Sequence, residues 1–115
     1  MRLGEKQEIF IENVGKLIAF AYAHGYRLRG GQLLRSLSEA NANAEKKVGI
    51  KNSLHLIALA IDFNLFKDGK FLTRSEDHRQ LGEYWKGLHP LNRWGGDFKS
   101  RPDGNHYSME HEGVQ

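Results

Sequence analysis

The stretch SLHLIALAIDFNLFKDGKFL, residues 53–72, decides how this chain folds. Leu59, Ile61, Phe63 and Leu65 alternate with Ala58, Ala60, Asp62 and Asn64. That is the period of a strand with one bulky apolar face, to be packed on helices, and one small polar face suited to line a pocket. Lys67-Asp68-Gly69-Lys70 reads as a hairpin turn, with Gly69 at the position of special φ and Phe71-Leu72 starting the return strand. Asp62 is the anomaly, because an ionised carboxylate between Ile61 and Phe63 must be compensated by a cation, a hydrogen-bonding shell or a metal.

Before this strand, Phe10, Val14, Leu17, Ile18 and Ala21 recur at helical spacing within residues 5–23, with Glu8, Glu12 and Lys16 opposite. His24-Gly25 supplies the helix stop. Residues 26–34 (YRLRGGQLL) read as a strand weakened or bulged at Gly30-Gly31. Residues 35–47 (RSLSEANANAEKK) read as a second helix capped by Ser36 or Ser38, and 49–53 as a loop.

After the hairpin, residues 75–87 form a helix with Ser75 as N-cap and Leu81, Tyr84, Trp85 and Leu88 at helical spacing, stopped at His89-Pro90. A Gly-Gly loop and a PDG turn follow, and residues 105–110 make a last short strand. The expected architecture is one α+β domain over residues 1–115, a small antiparallel sheet packed with helices.

The 115 residues carry a net charge of +3, with Arg and Lys scattered among acids, which argues against specific nucleic-acid binding. Cysteine is absent, so disulfides and thiolate zinc sites are excluded, and any metal must be held by His, Asp or Glu. No apolar run approaches the roughly 18 residues of a membrane span. The N-terminus mixes acids and bases without a signal-peptide core, so the expectation is a protein made in a cytoplasm, and a monomer is expected.

His55 precedes the decisive strand and His106 follows a tight DG turn. His55 and Asp62 are seven apart and cannot share a face of one straight strand, so a bend near 56–58 is required for both to converge. Two imidazoles and one carboxylate suit Zn²⁺ with an open fourth position, or equally a non-haem Fe(II). His24, His78 and His89, at helix ends or on a helix face, read as surface residues.

The pattern S-x-H-x-x-A-x-A-x-D, with Ser53, His55, Ala58, Ala60 and Asp62 at its fixed positions, read with Asp103-x-x-His106, resembles the two-part signature of the M15 peptidases. That family includes D-alanyl-D-alanine carboxypeptidases and dipeptidases and the phage L-alanyl-D-glutamate endopeptidases. Arg35-Ser36-x-x-Glu39 is similar to its R-[ST]-x-x-E segment, and RWGGDF, residues 93–98, to its Trp/Gly-rich lead-in. The likeness spans residues 26–110 and departs at Ala58, where the family has glycine.

The resemblance implies a Hedgehog/DD-peptidase-like fold, one Zn²⁺ held by His55, Asp62 and His106, and Asp103 as general base and acid. It implies that Arg35 binds substrate or polarises the scissile carbonyl, and that Ser53 contacts substrate. The implied substrate is the peptide stem of peptidoglycan. The implied role is a phage or prophage endolysin cutting L-Ala–D-Glu, held in the host cytoplasm until a holin releases it to the periplasm. The rival readings are a D-Ala–D-Ala carboxypeptidase or dipeptidase, a non-haem iron enzyme, a basic nucleic-acid-binding protein, and a member inactivated by Ala58.

Overall fold

A computed structural model describes residues 1–31 and 54–115, with the side chains of His55 and Leu56 outside that description. The expected helix within 35–47, the loop at 49–53, and Arg35 and Ser53 all lie outside the described residues.

Helix α1 (Leu3–Ala23) buries Phe10, Val14, Leu17 and Ala21 along one stripe. The 4-3-4 spacing of these residues keeps them on one side of a 3.6-residue helix. Ile18, expected on the same stripe, is instead 38% exposed, because it falls at the stripe's edge beyond Leu17. Gly25 takes φ of 86° and turns the chain into β1 (Tyr26–Gly30). Among the described residues the ladder ends at Gly30, and the Gly31 N–H then donates to the Asp62 carbonyl at 2.8 Å, while residues 32–34 of the expected strand lie outside them. A side chain at Gly31 would press on the Asp62 carbonyl oxygen and Cβ, so glycine permits this close approach.

Strand β2 (Ala60–Lys67) is the centre of the sheet. It pairs antiparallel with β1 on one side. On the other it pairs with β5 (His106–Met109) through its first half and with β3 (Lys70–Leu72) through its last residues. A further strand, β4 (Asn92–Trp94), pairs with β5 and completes the order β1-β2-β5-β4. β4 is a strand that the sequence did not suggest. Only three residues long, it carries too little alternation to be read as a strand. The hairpin turn has Asp68 at φ 52° and Gly69 at φ 80°, both in the left-handed region, as a two-residue primed turn requires.

Helix α2 (Arg79–Leu88) follows a short 3-10 turn (Ser75–His78), so residues 75–87 are not one α-helix from Ser75. The Ser75 hydroxyl does not cap the helix. It accepts a 2.9 Å hydrogen bond from the Gly104 N–H, while Asp77 holds the turn by accepting from the Arg74 N–H at 3.0 Å. Leu59, Ile61, Phe63 and Leu65 are buried, as their alternation predicts. Trp85 is fully buried among them, edge-on to Phe10 and Tyr107, and its indole N–H is shared by the carbonyls of Arg93 and Ser108, each at 3.0 Å.

The expected bend lies where it was placed. A 3-10 turn (Leu54–Ile57) leads to Ala58 at φ 56°, and the strand starts two residues later. An L-residue in that region costs about 1–2 kcal/mol. Glycine removes this cost but restores about 0.4–1 kcal/mol of unfolded-chain entropy. Ala58→Gly is therefore expected to stabilise the fold by about 0.5–1 kcal/mol, read as a higher urea midpoint at unchanged slope. A lower midpoint would mean that the alanine methyl is needed for packing.

Candidate active site

Asp62 on β2 and His106 on β5 are direct register partners, so their side chains rise from the same face of the sheet as cross-strand neighbours. His106 Nδ1 and Asp62 Oδ1 lie 3.3 Å apart. His106 Nε2 donates to the Gln115 backbone oxygen at 3.1 Å, an oxygen that also accepts from the Ser108 hydroxyl at 2.7 Å. A bond to a carbonyl oxygen fixes the hydrogen on Nε2 and turns the Nδ1 lone pair toward the Asp62 carboxylate.

Asp103 completes the group. The ligand atoms of Asp62, Asp103 and His106 all lie within 4.8 Å of one another. The Asp103 carboxyl is held above its ordinary value, first by desolvation in its loop and then by the Asp62 charge, with His106 opposing.

The loop that presents Asp103 is set by packing. Trp94, 1% exposed, lies between Gly82 of α2 and Gly96, and a methyl on either would overlap its ring. Its indole N–H donates to the Gly104 carbonyl at 2.7 Å. Gly95 accepts from the Asp103 N–H at 2.8 Å, and a side chain there would collide with the Asp103 carbonyl. The Trp-Gly-Gly run is thus the mould for the 103–106 turn rather than a substrate platform.

Of the residues read from sequence, Asp62, Asp103 and His106 come together. His55 lies in the 3-10 turn immediately before β2, on the chain side of the bend at Ala58, and its side chain is outside the described residues. Arg35 and Ser53 are outside them too.

Two features were missed. The tail turns sharply through Glu112 and Gly113, both at positive φ, so that Gln115 returns to His106 and Ser108; Gly113 was its only local signal. His78 is the second, and the expectation that it lies on the surface is wrong. It is 3% exposed and shares a 2.8 Å hydrogen bond with the Tyr107 hydroxyl, which burial pushes up from its ordinary pKa. Desolvation lowers the His78 pKa to about 4, with Asp77 opposing. Leu81, Gly82 and Trp85, three, four and seven residues on, are the buried residues of α2, so helical spacing alone places His78 on the same inward face.

The donor set fits a divalent ion. One imidazole nitrogen and carboxylate oxygens converge, and the imidazole is oriented through its other nitrogen by a backbone oxygen, as metal-binding histidines commonly are.

Residues 47–109 match the sequence model of a peptidase family described as D-alanyl-D-alanine carboxypeptidase. No curated protein matches the chain. Among solved structures, the fold is similar to the L-Ala D-Glu endopeptidase ChiX of Serratia marcescens, at 18% sequence identity and a TM-score of 0.71, over 95% of this chain and 86% of that one.

Proposed function

Because this chain belongs to the M15 family of peptidases, we propose that it is a zinc-dependent hydrolase of peptidoglycan stems that cuts the L-Ala–D-Glu bond. The observation that carries this reading is the cross-strand pairing of Asp62 with His106, joined by Asp103 on one face. Asp62 and His106, with His55, would hold the ion. When bound, zinc supplies Lewis acidity to a carbonyl and to water.

Asp103, with its carboxyl raised from the ordinary range, is suited to take a proton from the attacking water and return it to the leaving amine. The Gln115 oxygen keeps the His106 ring oriented throughout. Arg35 and Ser53 keep the substrate-binding roles that the family likeness gives them.

The choice of bond is supported by the fold shared with ChiX, described as an L-Ala D-Glu endopeptidase. We assign the enzyme to phage or prophage lysis, with passage from host cytoplasm to periplasm through a holin, on its likeness to the phage-encoded members. A second reading, removal of terminal D-Ala, is favoured by the match to a family of D-alanyl-D-alanine carboxypeptidases.

The test is incubation of zinc-loaded protein with purified Gram-negative sacculi. Release of soluble peptides that stops with chelator and returns with added zinc is expected. Release that persists through chelation would refute the metal, and no release would refute the substrate.

A further inference from the structure

A cavity of about 390 Å³ adjoins the catalytic face, with Asp103 in its wall. Its lining is mixed: Phe63, Phe71 and Pro102 are apolar, and Asn64, Asn105 and Arg74 are polar. Arg74 is exposed and makes no ion pair among the described residues. By contrast, Arg79 is tied to Glu76 and Glu83, and Arg93 to Glu110.

The position of Arg74 relative to Asp103 is fixed from two sides. Its backbone N–H donates to Asp77 Oδ2 at 3.0 Å, and its carbonyl accepts from the Asp77 N–H at 3.0 Å. The next residue, Ser75, accepts from the Gly104 N–H, and its backbone lies so close to Gly104 that no side chain fits there. An exposed cation is thus mounted on a rigid turn beside the proposed general base.

We propose that this cavity receives the stem-peptide residue on the amine side of the cut bond, and that Arg74 binds its free carboxylate. This rests on the function proposed above and adds the specificity determinant. In a peptidoglycan stem D-Glu is linked onward through its γ-carboxyl, which leaves an α-carboxylate next to the scissile amide. A guanidinium matches a carboxylate with two parallel hydrogen bonds, and an amide in its place forfeits the charge. Phe71, 54% exposed, and Pro102 offer apolar surface to the aliphatic part of the same residue.

The test uses two synthetic tripeptides, L-Ala-γ-D-Glu-diaminopimelate and its α-amide. Cleavage of both is followed with zinc-loaded wild type and Arg74→Gln, and binding is measured by calorimetry on the zinc-free proteins. Wild type is expected to prefer the carboxylate roughly 10- to 100-fold in kcat/KM and in affinity. Arg74→Gln is expected to lose the preference, chiefly through a fall in kcat/KM on the carboxylate peptide, and Arg74→Lys to recover part of it. A preference unchanged in Arg74→Gln, or absent from wild type, overturns the assignment. If neither peptide is cut, the peptidase reading fails on its own, and the affinities still decide whether Arg74 selects the carboxylate.

Discussion

Asp103→Asn is expected to lower kcat on stem peptides by about 10²–10⁴-fold, the usual loss on removing a general base. Asparagine keeps the shape of the side chain and the Asp103 N–H bond to Gly95, so the loop mould stays in place. What is lost is the proton-accepting oxygen. The same carboxylate lies within 4.8 Å of the ligand atoms of Asp62 and His106, so geometry alone also permits it to be a ligand. Zinc affinity separates the two roles. A general base leaves affinity within a few fold when replaced, whereas loss of a ligand weakens it far more, alongside His106→Ala. A variant with normal zinc affinity and undiminished kcat would remove Asp103 from the chemistry.

Stability should fall in mild acid, with a share that belongs to His78. Its pKa is about 4 in the fold against an ordinary value of 6.5. Above pH 6.5 it is neutral whether the chain is folded or not, and costs nothing. Between about 6.5 and 4 the unfolded chain binds a proton that the folded one refuses, so stability declines as pH drops, by about 3 kcal/mol in all at 1.36 kcal/mol per pH unit. Below 4 the folded state takes the proton too, and this contribution stops changing.

His78→Gln removes the titration and keeps a polar group. The difference in unfolding free energy between wild type and variant, measured by urea at pH 7.5, 6, 5 and 4, should change by about 3 kcal/mol in favour of the variant as pH falls. Other histidines and carboxylates titrate equally in both proteins and cancel. Parallel pH curves would show that His78 is not held neutral.

Much of the site was legible because its residues obey short-range rules. Alternation placed Asp62 on the polar face of β2, the seven-residue gap to His55 demanded a bend, and that bend is Ala58 at φ 56°. Sequence could not give the register that sets Asp62 against His106, since that depends on how two strands distant in the chain align. The Trp-Gly-Gly segment was visible as a motif, but the reason for its glycines, an indole held between two residues without side chains, exists only after α2 and the loop have packed. His78 misled because a polar residue type suggested the surface, although its spacing to Leu81, Gly82 and Trp85 already placed it on the buried face of the helical pattern. Gln115 acts through its backbone oxygen, which leaves no trace in residue type.

The most direct test of the central claim is product analysis after zinc-loaded protein digests purified Gram-negative muropeptides, with Asp103→Asn as control. Fragments separated between L-Ala and D-Glu, with a new amino group on D-Glu, are expected from the wild type and none from the control. Loss of a single alanine from the stem terminus would instead establish the carboxypeptidase reading. Muropeptides left intact by fully metallated protein would contradict the peptidoglycan assignment.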